Sequence, residues 1–71
     1  MLTMVTLRSS SIGAVGYDPR AMTLIIRFRN GSTYRYFQVP QWIYEGFLVT
    51  FSPGRFYNKR VKGQFPADQL E

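Results

Sequence analysis

Period-two alternation dominates the first half of the chain. From Thr23 to Arg29, Leu24, Ile26 and Phe28 fall on one side while Arg27 and Arg29 fall on the other, which predicts a strand with one dry and one wet face. Ser11 to Tyr17 alternates small and apolar residues, and Gly13 and Gly16 within it suggest a twisted strand or a close backbone approach. Asp18-Pro19 then starts a turn, because Asp bonds back to nearby amides and Pro fixes φ at the second turn position. Asn30-Gly31 is a hairpin signal, since both residues tolerate positive φ, and Ser32 to Phe37 supplies the return strand.

The hairpin admits two registers. A two-residue type I′ loop would pair Arg29 with Ser32 and put Tyr34 and Tyr36 on the wet side with Arg27 and Arg29. A type I turn with Gly31 in a G1 bulge shifts the parity by one and sends both tyrosines into the core with Leu24 and Ile26. The bulge is the favoured register, because it avoids setting Arg35 against a buried isoleucine.

Beyond Phe37 the period lengthens. Val39-Pro40 marks a boundary, and Ile43, Tyr44, Phe47 and Leu48 recur at helical spacing, so Gln41 to about Val49 is expected to form an amphipathic helix docked on the sheet. Trp42 is expected there as a partly buried anchor. Ser52-Pro53-Gly54 reads as an N-cap followed by Pro at the first helical position, opening a second short helix from Arg55 to about Val61. It would carry Arg55, Lys59 and Lys62 on one side, with Phe56 and Val61 toward the core. The tail from Ala67 to Glu71 is expected to be loose. The pattern gives an α+β fold: a small three-stranded antiparallel meander packed against one main helix and a second short helix. One domain spans 1–71, with its core at about 9–66.

Composition narrows the function. The 71 residues hold nine Lys and Arg against four Asp and Glu, with no His and no Cys. A chain this short buries only about 60% of its unfolded surface, so its core is thin and has no disulfide to staple it. The commonest general base and the best nucleophile are missing, and Asp18, Glu45, Asp68 and Glu71 are scattered along the chain. No zinc spacing or phosphate-binding glycine loop is present. The expectation is a non-catalytic protein without metal or cofactor. No stretch has a secretion-signal pattern or approaches about 20 apolar residues, so a cytoplasmic protein with no membrane partner is expected.

The charge is clustered. No acidic residue occurs between Glu45 and Asp68, where Arg55, Lys59, Arg60 and Lys62 stand beside Phe56 and Tyr57; a second cluster, Arg27, Arg29 and Arg35, brackets Tyr34 and Tyr36. Cations that neutralise phosphates, interleaved with rings on which unpaired bases stack, suit nucleic acid. Phosphate contacts are expected from all seven cations, stacking from Tyr57 and secondarily from Tyr34, Tyr36 or Trp42, and an added anion site from the helix-start amides near Gly54 and Arg55. The alternative partner is an acidic protein surface, or a second copy that shields the sheet edges.

Ser10-Ser11-Ile12, Ala14 to Asp18 and Leu24 to Tyr36, followed by Val39-Pro40, Tyr44-Glu45 and Ser52 to Asn58, resemble the KTSC domain family, named from the C-terminal extension of some lysyl-tRNA synthetases. The resemblance covers about 9–66. It implies a small α+β domain, bacterial or phage-borne, standing alone or fused to a synthetase. Its Tyr-x-Tyr motif falls on Tyr34 and Tyr36, and it supplies no catalytic residues. RNA is placed before DNA as the expected ligand.

Overall fold

A computed structural model describes residues 2–71. Five strands form one antiparallel sheet in sequential order: β1 (Val5–Thr6), β2 (Ile12–Asp18), β3 (Thr23–Phe28), β4 (Thr33–Tyr36) and β5 (Ala67–Gln69). Two helices, α1 (Gln41–Val49) and α2 (Pro53–Arg60), connect β4 to β5. The expected three-stranded meander is therefore the centre of a wider sheet. The N-terminal segment pairs with β2 through Val5–Val15 and Thr6–Ala14, and the supposedly loose tail pairs with β4 through Tyr34–Gln69, Arg35–Asp68 and Tyr36–Ala67. Each outer strand gives its neighbour's backbone the partners it would otherwise lack.

The hairpin takes the bulged register. The Gly31 amide donates to the Phe28 carbonyl at 3.0 Å, Gly31 has a φ of +94°, and Ile26 stands opposite Tyr34, with Leu24 opposite Tyr36. Both tyrosines thus share the face of Leu24 and Ile26. Arg35 lies opposite Ile25 on the other side of the sheet. Asp18 caps the β2–β3 turn as expected, its Oδ1 accepting from the Arg20 and Ala21 amides.

Both helices cover the face that carries Val15, Leu24, Ile26 and Tyr36. Ile43, Phe47, Val39 and Val61 close the core over these residues. Pro40 precedes α1 in an extended conformation, and α1 ends where the Thr50 amide donates to the Gly46 carbonyl. Ser52 caps α2 through its side chain, with Pro53 in the first turn. Gly46 lets the Phe56 ring lie against α1: a Cβ there would come within 2.2 Å of Cζ. Phe47 and Phe56 meet edge to face at 4.8 Å, which locks the helices together.

Candidate nucleic-acid interface

Aromatic side chains set where α2 lies. The Tyr57 ring packs edge-on against Phe28 and Tyr36, and its hydroxyl is 2.9 Å from that of Tyr36. Tyr34 stacks beside Tyr36 and donates its hydroxyl to the Gln69 side chain. Burial, the bond to Tyr57 and the neighbouring phenols push the Tyr36 hydroxyl well above the ordinary tyrosine range. Tyr34, Tyr36 and Tyr57 thus pack against one another and pin α2 to the sheet, Tyr36 buried and the other two half-buried. Tyr17 does the same for α1, stacking on Tyr44 at 5.5 Å and donating to the Val39 carbonyl.

With α2 held this way, Arg55, Lys59 and Arg60 are exposed. They line one open cleft of about 420 Å³ with Thr50, Phe51, Ser52 and Phe56. None of the three is paired with a carboxylate among the described residues. The one ion pair there joins Arg35 to Asp68 at 3.0 Å. Arg60 also lies over the Trp42 ring, 5.9 Å from its centre. The cleft thus holds three cations and the exposed Phe51, and Arg60 at its margin reaches the exposed Trp42 outside it.

The remaining expected contacts are not gathered there. Arg27 and Arg35 alternate with core-facing Ile26, Tyr34 and Tyr36, so they leave the sheet on the face opposite the helices. Arg35 is further engaged by Asp68 and lies over Phe37. That hydrogen bond raises the Arg35 pKa and lowers the Asp68 carboxyl. Arg29 turns its guanidinium inward to the Ser9 and Leu7 carbonyls at 3.1 and 2.8 Å, fastening the β1–β2 connection. Lys62 falls beyond the end of α2, because the Val61 and Lys62 amides both return to the Tyr57 carbonyl and stop the helix. The α2 amides offer less than expected, since Arg55 N–H is already taken by Ser52 Oγ. A single footprint of seven cations is thereby replaced by a cluster of three.

Two residues change role. Trp42, expected as a partly buried anchor, is 56% exposed, and Phe51, assigned no role from the sequence, is fully exposed. The signal for Phe51 was its position between two helix boundaries, Thr50 and Ser52, where a three-residue link leaves a side chain little access to the core.

Residues 8–65 match the KTSC domain family. The chain belongs to the KTSC domain family. A KTSC domain protein from Yersinia pestis, known from a crystal structure, superposes with a TM-score of 0.94 at 35% identity, covering 100% of both chains. A protein from Tsukamurella paurometabola is 44% identical over 67 residues, covering 94% of this chain and 100% of that protein. A lysine–tRNA ligase from a Nostoc species is 41% identical over 61 residues, covering 86% of this KTSC domain but only 11% of the ligase. The chain therefore corresponds to about a tenth of that enzyme. No helix among the described residues is long and apolar enough to cross a membrane.

Proposed function

We propose that this KTSC domain is a small non-catalytic nucleic-acid-binding module, RNA before DNA, that holds phosphates with Arg55, Lys59 and Arg60. The observation that carries this reading is the convergence of three exposed cations, unpaired with carboxylates, on one cleft. Arg suits such a site because its planar guanidinium grips phosphate oxygens with paired donors. A relative's occurrence within a lysine–tRNA ligase adds context that favours RNA. Titration of RNA at several salt concentrations tests the reading. Three phosphate contacts on a single strand give a slope of log K against log salt of about −2. Replacing Arg55, Lys59 and Arg60 together with Gln removes both the slope and most of the affinity; equal affinities for the two proteins refute the proposal.

A second reading, docking on another protein, draws support from an exposed apolar strip. Leu48 and Phe51 border a groove of about 570 Å³ lined also by Val5, Leu7, Phe47 and Pro53, and Val49 beside them is exposed. A partner that stays bound in pull-downs after nuclease treatment favours this reading over the first.

A further inference from the structure

Phe51 is the most exposed large apolar side chain among the described residues. It does not sit on a frayed end. The Thr50 amide donates to the Gly46 carbonyl at 2.9 Å, the Ser52 amide to Thr50 Oγ1 at 3.2 Å, and the Arg55 amide to Ser52 Oγ at 3.4 Å. The link between the helices is thus tied on both sides of Phe51, and its ring is held out in water. The ring borders the cleft of Arg55, Lys59 and Arg60, and Arg60 leads on to Trp42. The two rings stand at opposite ends of α1, whose nine residues rise about 13 Å.

Exposed π-faces beside cations match one form of nucleic acid better than the other. In a duplex the base faces are stacked and paired, so a protruding ring meets only edges and backbone. Unpaired bases present their faces freely, and stacking on aromatic side chains then contributes to affinity whatever the sequence. Three phosphate contacts alone leave binding weak at physiological salt, so base stacking on the rings would add the larger increment.

We infer that the α2 cleft selects unpaired nucleotides, with Phe51 stacking one base, Trp42 another, and Arg55, Lys59 and Arg60 holding the phosphates of the strand that runs between them. This deepens the nucleic-acid reading and rests on it. The chain has a single Trp, so intrinsic fluorescence reports on Trp42 directly.

The experiment titrates wild type, Phe51→Ala and Phe51→Tyr with a single-stranded oligouridine of about eight nucleotides and with a blunt RNA duplex of the same length. The oligouridine is expected to quench Trp42. Phe51→Ala weakens its binding about ten-fold or more at an unchanged salt slope, and Phe51→Tyr restores it. The duplex binds more weakly and ignores the substitution. Thermal melts verify that both variants fold like wild type. Unchanged oligouridine affinity in Phe51→Ala, or a duplex bound as tightly as the single strand, overturns the inference. If duplex still binds through the α2 cations while Phe51→Ala is silent, the nucleic-acid reading survives and only the selection for unpaired bases falls; if neither RNA binds, both fall.

Discussion

Gly46 stands where α1 meets α2 with no room for a side chain. Alanine there gains about 1 kcal/mol of helix propensity, but its Cβ would press on the Phe56 ring, which already packs edge to face with Phe47. Overpacking of this kind costs about 1–3 kcal/mol. Gly46→Ala is therefore expected to lower the denaturant midpoint at an unchanged m-value. A rise in the midpoint would mean that the ring swings aside at no cost. Tyr36 makes the second prediction at this scale. Its hydroxyl pKa is raised in the folded state, so the folded chain keeps a proton that the unfolded chain releases near pH 10. Stability is accordingly held up to about that pH and declines above it, with a slope approaching about 1.4 kcal/mol per pH unit. Tyr17, also raised by burial, adds to the same decline. Tyr36→Phe should cost about 1 kcal/mol at neutral pH by removing the partner of the Tyr57 hydroxyl. The same variant flattens the loss between pH 10 and 11 in denaturant melts; an unchanged alkaline slope would put the perturbed group elsewhere. The side of the sheet that takes Tyr34 and Tyr36 was legible in the sequence, because Gly31 permits the bulge and Arg35 penalises the other register. The exposure of Trp42 was not, because a helical repeat says which residues share a face and not whether the first turn overhangs the sheet.

Element by element, the longer segments declared themselves and the short ones did not. β2, β3 and β4 carry alternation or a turn signal at their ends, and α1 and α2 carry Pro and Ser at their starts. β1 has two residues and β5 reads Ala-Asp-Gln, too short and too polar for a periodic pattern. What makes β5 a strand is the unpaired edge of β4. Around it, the Phe37 amide donates to the Pro66 carbonyl, the Leu70 amide to the Thr33 carbonyl, and the Thr33 amide to the Glu71 carbonyl. A chain ending at Pro66 loses the β5 pairing, and since a net hydrogen bond is worth about 1 kcal/mol, its stability should fall by roughly 2 kcal/mol. Amide exchange should quicken at Thr33 and spare β2 and β3. Unchanged protection at Thr33 would show that β4 needs no cover.

At the scale of the whole molecule, the two basic clusters of the sequence part company: Arg55, Lys59 and Arg60 line the α2 cleft, while Arg27 and Arg35 leave the sheet on its other face. Of the cations clustered in the sequence around α2, Arg55, Lys59 and Arg60 line one cleft because neighbours in a helix stay neighbours in space, while Lys62 lies past the helix end. Sequence clustering grouped Arg27, Arg29 and Arg35 with them for a reason that does not survive folding. Strand alternation sends Arg27 and Arg35 through the sheet away from the helices, and backbone carbonyls of the β1–β2 connection draw Arg29 in. A ligand seated on α2 would have to wrap the sheet edge to reach Arg27 or Arg35. Replacing both with Gln therefore leaves RNA affinity within about two-fold of wild type and removes little from the salt slope, because a slope counts only phosphates contacted. The α2 triple substitution removes the slope in the same assay. Equal losses from the two sets would mean that RNA encircles the domain, and the cleft of Arg55, Lys59 and Arg60 would then be one contact among several.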